Sequence, residues 1–164
     1  MGQAPKDHGD LNGKGLRVGV VTARWNSDIT YKLEASALAE LNRLGVKEAH
    51  AVRVPGAFEV PLACKAMIDA GFDAVIALGC VIRGDTTHYE TVCNSVERGC
   101  TLLQLETSVP VGFGILTVEN EEQAYDRAGG KHGDKGLECA QVVIEMVRVL
   151  ESIGNARTSR IDLR

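Results

Sequence analysis

The sequence predicts an α/β fold with a parallel β-sheet between layers of helices. Short apolar, β-rich runs alternate along the chain with segments whose apolar residues recur at helical spacing. Parallel strands need long crossover connections, and helices of the predicted lengths provide them with right-handed topology. At 164 residues, 45% of them hydrophobic, the chain suits one domain with a substantial core.

The first strand is predicted at 16–22, where valines and leucine follow one another closely. From Ile29 to Leu44 leucines and alanines recur at helical spacing, and Gly45 is a typical C-terminal stop. This segment therefore predicts the first strand and its crossover helix.

A second strand is predicted at 49–54 and ends at Pro55-Gly56, a pair that interrupts a sheet ladder. A helix from about Phe58 to Ala70 follows. Pro61 is compatible with this helix only in its first turn, where the missing N–H costs no hydrogen bond.

The second half of the chain repeats the pattern. Strands are predicted at 74–78 and 111–118, with a helix at about 87–106 between them. Two helices, at about 121–128 and 134–153, close the domain. No internal repeat or linker indicates a second domain, so we expect one domain at 16–154, a flexible arm at 1–15 and a tail at 155–164.

Composition excludes several function classes. The net charge of -4 gives no electrostatic basis for binding nucleic acid or an anionic membrane. The polar, glycine-rich first fifteen residues lack the apolar core of a signal peptide, and no apolar run approaches the ~20 residues that span a bilayer. Five cysteines without a CxxC pair indicate buried thiols in a reducing compartment. We therefore expect a cytoplasmic protein, with no metal because no histidine pair has ligand spacing.

The segment after the third predicted strand, Gly79–His88, indicates an anion site. Ligands of open parallel sheets bind at the carboxyl ends of strands, and a helix N-terminus there favours negative charge. Gly84 allows close backbone approach, and Thr86 and Thr87 offer hydroxyl groups. The alternative is an ordinary helix-capping turn without a ligand.

Asp85 and His88 limit the kinds of reaction that this segment could catalyse. Gly79 and Gly84 have the spacing of a P-loop, but Asp85 stands where the phosphate-binding lysine belongs, which argues against nucleotide hydrolysis. His88, beside the anion site, is a candidate for proton transfer to a bound ligand. A merely structural or exposed histidine is the alternative.

Aromatic and polar residues follow the first two strands. Trp25 either caps the core or offers a stacking surface to a planar heterocycle, with the Asn26 amide at its edge. Phe58 and Glu59 allow a similar pair of interpretations, an apolar wall and a carboxylate that accepts from ligand hydroxyls. Arg127, in a glycine-broken basic stretch, suits a phosphate dianion or lies in a solvated turn.

Four blocks together resemble the 6,7-dimethyl-8-ribityllumazine synthase family over about residues 16–150. They are Ala23-Arg24-Trp25-Asn26, Pro55-Gly56-Ala57-Phe58-Glu59-Val60-Pro61, Gly79 to Glu90, and Asn120 to Gly136. Trp25 and Cys80 depart from the family's commonest pattern, where phenylalanine and a small residue such as threonine are more usual.

The resemblance implies a flavodoxin-like three-layer sandwich around a four-stranded parallel sheet. It also implies a transferase of riboflavin biosynthesis, which condenses 5-amino-6-(D-ribitylamino)uracil with 3,4-dihydroxy-2-butanone 4-phosphate without a metal or organic cofactor. The implied catalytic residue is His88, which moves protons. The implied substrate-binding residues are Trp25, Asn26, Ala57, Phe58, Glu59, Cys80, Val81, Ile82, Asp85, Thr86, Phe113, Arg127 and Lys135.

The resemblance also implies a homopentamer, because the family builds its sites between protomers. On this basis Phe113, Arg127 and Lys135 would reach the site of a neighbouring subunit. The short connection 129–134 favours the family's sixty-subunit icosahedral shell, with the bare pentamer as the alternative and riboflavin synthase as a candidate partner. A non-catalytic flavin- or lumazine-binding protein, or a shell-forming protein, is the alternative function.

Overall fold

The protein has a four-stranded parallel sheet between two layers of helices, described by a computed structural model over residues 7–161. The strands of the main sheet are β1 Arg17–Ala23, β2 Glu48–Val54, β3 Ala74–Ile82 and β4 Val111–Val118. The helices are α1 Ser27–Arg43, α2 Val60–Asp69, α3 His88–Thr107, α4 Glu121–Tyr125 and α5 Lys135–Ile161. A 3-10 helix, Ala57–Glu59, precedes α2.

The strand order β2-β1-β3-β4 determines where a ligand can bind. All neighbouring strands in the sheet are parallel. The chain adds β2 on one side of β1, then crosses to the other side to add β3 and β4. The carboxyl ends of β1 and β3 are therefore the topological switch point, where open α/β sheets bind their ligands.

The core has two layers, one on each face of the sheet. On one face Val18, Val20 and Ile76 pack against α1 and α5. On the other face Val21 and Val75 pack against α2 and α3. Because β1 and β3 are covered on both faces, their sequences are nearly continuous apolar runs. The predicted three-layer α/β architecture is confirmed.

One boundary differs from the prediction in a way that concerns function. β3 continues to Ile82, so Gly79 and Cys80 belong to the strand and not to a turn. The strand is closely packed at Gly79, because a Cβ there would lie 3.0 Å from Ile115 Cδ1. The ladder to β4 is paired as far as Ile82 and Val118, which leaves only residues 83–87 as the turn before α3.

The C-terminal third also differs from the prediction. The short helix α4 ends at Tyr125 and not at Ala128, because a two-stranded hairpin, β5 Ala128–Gly130 and β6 Gly133–Asp134, follows it. Gly129 and Gly133 adopt positive φ in this hairpin, a conformation that glycine favours. Helix α5 runs to Ile161, beyond the predicted end at Ile153, since a single glycine at 154 weakens a helix without ending it.

Part of the N-terminal arm lies against α5. Arg148 donates from Nε to the carbonyl of Asn12 at 2.8 Å and from Nη2 to that of Lys14 at 2.9 Å. The backbone N–H of Gly9 donates to Glu145 Oε1 at 3.1 Å. Residues 1–6 of the expected flexible arm, and 162–164 of the expected tail, lie outside the described residues, and these boundaries stay predictions. Within residues 7–161, none of the helices is long and apolar enough to cross a membrane.

The contact between α1 and α5 generates a stability prediction. A Cβ on Gly136 would lie 2.1 Å from the Leu33 carbonyl oxygen, which is main chain and cannot rotate away. We expect Gly136→Ala to lower the free energy of unfolding by about 2–3 kcal/mol, as overpacking does. Gly84→Ala is the matched control, since a Cβ there meets no atom within 4 Å. Equal unfolding midpoints in urea for the two variants would contradict this close approach.

Candidate active site

The switch point is closed by a hydrogen bond between the ends of β1 and β3. Asn26 Nδ2 donates to the carbonyl of Cys80 at 2.9 Å. Asn26 adopts a left-handed conformation, φ 58° and ψ 47°, and precedes α1 without capping it through its side chain. Asparagine tolerates this conformation better than most residues. The Asn26 amide therefore ties the chain that leaves β1 to the end of β3, and its role in substrate binding stays a prediction.

The side chain of Trp25 is 73% exposed, so the interpretation that it caps the core is wrong. Its indole lies beside Gly56, where a Cβ would come within 3.2 Å of Trp25 Cδ1 and of Glu59 Oε2. Glu59 Oε2 also accepts from the Gly56 N–H at 2.8 Å. The loops after β1 and β2 thus bring the indole and this carboxylate together.

Phe58 forms a second exposed aromatic surface at this edge of the sheet. Its side chain is 61% exposed in the 3-10 helix that follows β2. Ala57, its neighbour, is buried, and a Cβ on Gly79 would lie 3.6 Å from the Ala57 Cβ. The 3-10 helix is therefore anchored on β3 through Ala57 while Phe58 faces solvent.

The end of β3 forms the floor of the candidate site. Cys80 is buried, and burial raises the pKa of its thiol to about 12, which keeps the sulfur protonated and non-nucleophilic. Val81 and Ile82 are partly buried at the end of the strand. This segment can offer a ligand backbone groups and apolar surface, but no thiolate.

The burial predicted for the cysteines is confirmed for four of the five. None forms a disulfide within the described part of the chain, and Cys64, Cys80, Cys100 and Cys139 are buried. Cys93, on α3, is only partly buried. Among residues 7–161, no three His, Cys, Asp or Glu side chains come together in a group that could hold a metal ion.

The turn at 83–87 is exposed and leads directly into α3. The His88 N–H donates to Thr86 Oγ1 at 3.3 Å, while Thr87, the residue before the helix, makes no side-chain cap. Asp85, Thr86 and His88 are all exposed. The Thr86 hydroxyl therefore lies at the backbone of His88, and both side chains are exposed just beyond the end of β3.

Sequence reasoning missed Arg83, which lies at the start of this turn. Its Nε is 2.8 Å from Glu119 Oε2, its Nη1 pairs with Glu90, and its guanidinium lies 4.2 Å from the centre of the Tyr89 ring. The hydrogen bond from Arg83 holds the pKa of the Glu90 carboxyl below its usual value. The sequence did contain a signal for this contact. Arg83 and Glu119 carry opposite charges and follow the ends of two strands that neighbour each other in the sheet.

Three predicted site residues lie elsewhere in the same chain. Phe113 and Lys135 line a groove of about 720 Å³ beside the edge strand β4. Lys135 pairs with Glu138, and Arg127 Nη1 donates to the Gln123 carbonyl at 2.8 Å. The Lys135 N–H also donates to the Arg127 carbonyl at 2.9 Å, so these two cations belong to one segment. No described contact joins this segment's cations to Trp25, Phe58 or His88.

Comparisons with known proteins agree with the geometry. A family model described as 6,7-dimethyl-8-ribityllumazine synthase matches residues 15–151. A curated protein of Bdellovibrio bacteriovorus, named 6,7-dimethyl-8-ribityllumazine synthase, is 55% identical over 148 residues. That alignment covers 90% of this chain and 83% of the relative. The family match includes every residue that the sequence indicated for the site.

The Asn26 bridge predicts a measurable ordering of two variants. Asn26→Ala loses the bond to Cys80 and places alanine in a left-handed conformation, so we expect a loss of about 2 kcal/mol in unfolding free energy. Asn26→Gly loses the same bond without that strain and should be about 1 kcal/mol more stable than the alanine variant. Denaturant titrations of both variants check this order, and a more stable alanine variant would contradict it.

Proposed function

The chain belongs to the 6,7-dimethyl-8-ribityllumazine synthase family, and from this premise we propose how its residues divide the work of catalysis. The enzyme is a transferase of riboflavin biosynthesis. It condenses 5-amino-6-(D-ribitylamino)uracil with 3,4-dihydroxy-2-butanone 4-phosphate and releases 6,7-dimethyl-8-ribityllumazine, phosphate and water.

The pyrimidine substrate, in this proposal, stacks on Trp25, with Phe58 as the adjoining apolar wall. The support is that both aromatic side chains are exposed at the carboxyl ends of neighbouring strands. Glu59 accepts hydrogen bonds from ribityl hydroxyls through the oxygen that does not bind Gly56. Ala57, Cys80, Val81 and Ile82 complete the pocket, the last three largely through backbone groups.

The butanone phosphate binds at the 83–87 turn. Asp85 and Thr86 hold the phosphate, Asp85 through its backbone N–H because its carboxylate repels an anion, and Thr86 also through its hydroxyl. Arg127 supplies the bidentate cation that a phosphate dianion favours. Both substrates then lie along one edge of the sheet, with the reacting amine and carbonyl between His88 and the indole.

The chemistry requires positioning and proton transfer more than a protein nucleophile. The aromatic amine adds to the ketone and water leaves, which gives an imine. A proton then leaves the adjoining carbon as phosphate is eliminated, and the resulting enol tautomerises to a ketone. The second amine adds to this ketone, and a second water leaves as the ring closes. We assign these proton transfers to His88, whose backbone N–H donates to Thr86 and whose side chain is exposed at the turn. Positioning two substrates provides several kcal/mol of barrier reduction, and proton transfer typically about 10²–10⁴-fold.

We propose that the enzyme is a pentamer with its sites between protomers. Trp25, Phe58 and the 83–87 turn form one half of the proposed site, which we call the half-site, and they are exposed to solvent in the single chain. The groove with Phe113 and Lys135 has an apolar wall that is partly exposed. This wall includes Leu105, Val142, Met146 and Leu150. Exposed apolar surface of this extent is typical of an interface, and a groove from one protomer would complete the half-site of the next.

The short β5–β6 hairpin supports further assembly of pentamers into a sixty-subunit shell, which could enclose riboflavin synthase. We also propose that the enzyme is cytoplasmic, where its mostly buried cysteines would stay reduced. A non-catalytic flavin-binding or shell-forming protein would bind or assemble without making product. The two-substrate absorbance assay separates it from the enzyme, since it would leave only the slow background reaction.

His88→Ala tests the proposed proton transfer. We expect kcat to fall by roughly 10²-fold while activity remains above the uncatalysed background, since positioning is intact. Lumazine absorbance measures the rate, and sedimentation of the same sample shows whether the assembly is unchanged. A wild-type kcat would refute the role of His88, and complete loss of activity in an intact assembly would refute the division between positioning and proton transfer.

Mixed assemblies test whether one site draws on two protomers. Trp25→Ala damages the half-site around the indole, and Arg127→Gln damages the half that is proposed to serve the neighbour. When the two chains are co-expressed, roughly a quarter of the interfaces should combine an intact Trp25 with an intact Arg127, so activity should reappear. The control combines the double variant, Trp25→Ala with Arg127→Gln, with either single variant. No interface in these assemblies has both residues intact, so activity should not reappear. No recovery in mixed pentamers would place both residues in one chain's site.

A further inference from the structure

Arg83 connects three elements around the candidate site through contacts of different kinds. Its backbone N–H donates to the Val118 carbonyl at 2.9 Å, which continues the ladder between β3 and β4. Its side chain reaches Glu119, just after β4, and Glu90, in the first turn of α3. The guanidinium carbon lies over the Tyr89 ring.

These contacts leave Arg83 poorly suited to bind phosphate. The guanidinium already faces two carboxylates, so the group formed by Arg83, Glu90 and Glu119 carries a net negative charge. A phosphate dianion gains little from such a group, because the carboxylates repel it as the guanidinium attracts it. Arg83, the arginine at the start of the turn, is therefore a poor ligand for phosphate despite its positive charge.

The turn between Arg83 and His88 has few contacts of its own, which gives the side-chain contacts of Arg83 a structural importance. Residues 84–87 are exposed, Gly84 has no side chain to pack, and Thr87 does not cap α3 through its side chain. His88 is the first residue of α3, directly before Tyr89 and Glu90. Without Arg83, the first turn of α3 would lose its ion-pair links to the ends of β3 and β4, and this open turn provides no side-chain cap in their place.

We infer that Arg83 is a positioning residue, which fixes the first turn of α3 against the ends of β3 and β4 and so sets the place of His88. The inference rests on the proposed role of His88 in proton transfer. Geometry at a reacting centre affects rate steeply, since small displacements of a catalytic group cost large factors. Arg83 therefore acts on kcat through His88 and not on the binding of phosphate.

The test measures Arg83→Gln in two backgrounds with the two-substrate assay. In the otherwise wild-type enzyme we expect kcat to fall roughly tenfold, with the KM for the phosphate-bearing substrate changed by less than about threefold. In the His88→Ala enzyme the same substitution should cost less than about twofold, because residues that act as one unit are not additive. A KM increase with unchanged kcat would identify a phosphate ligand and overturn the inference.

Equal losses in the two backgrounds would also overturn the inference, because Arg83 would then act independently of His88. A wild-type kcat in His88→Ala alone would instead refute the proposed role of His88, so the two failures are distinguishable. Arg83→Lys should recover only part of kcat, since one ammonium cannot face both carboxylates in plane and cover the Tyr89 ring. Full recovery by lysine would show that charge alone matters, which overturns a role based on the geometry of the guanidinium.

Arg53 provides a matched control in the same chain. Its guanidinium pairs with Glu34 at 2.6 Å and lies 3.8 Å from the centre of the Tyr31 ring, between β2 and α1. Arg53→Gln should lower the thermal midpoint without the loss in kcat. If Arg83→Gln also lowers only the thermal midpoint and leaves kcat unchanged, Arg83 has a structural role and the inference is overturned.

If Arg83→Gln does not fold, Glu119→Gln is measured in the same two backgrounds. It should lower kcat by a smaller factor than expected for Arg83→Gln, and only in the enzyme that retains His88.

Discussion

The structure depends on the adjacency of β1 and β3, two strands that are buried on both faces. Because β1 and β3 are neighbours while β2 and β4 lie outside them, the loops that leave the two central strands must diverge. The hydrogen bond from Asn26 to the Cys80 carbonyl closes the base of the resulting crevice. Trp25, Glu59 and the 83–87 turn all take their positions from this crevice.

The exposed surface of the single chain has an energetic consequence. Burying a large apolar side chain contributes about 1.5–3 kcal/mol, and both aromatic residues at the crevice are mostly exposed. The groove beside β4 leaves further apolar side chains in contact with water. An arrangement in which one protomer's groove faces the next protomer's crevice would bury both surfaces. It would also account for the separation, within one chain, of the residues that we propose to bind substrate.

Charge is distributed unevenly between these two surfaces. At the crevice the arginine nearest the turn is paired with two carboxylates, so little positive charge is left for a phosphate. Arg127 and Lys135 lie instead in the segment between α4 and α5, joined by a backbone hydrogen bond. Arg127 donates to a neutral carbonyl, and its charge is not compensated by that contact. A site assembled from both surfaces would hold the substrate phosphate only when two protomers meet.

The sequence by itself determined the three-layer fold, the order of the main elements and the residues that follow each strand. Periodicity is local and predicts where each strand ends, and parallel sheets bind ligands at those ends. Trp25, Phe58 and His88 could therefore be named without coordinates. The tertiary structure alone decided that Gly79 belongs to β3, since glycine is favoured both in turns and where side chains approach closely. It also decided the partners of Asn26 and Arg83, because contacts between residues far apart in the chain depend on how strands and helices pack, which no local pattern encodes.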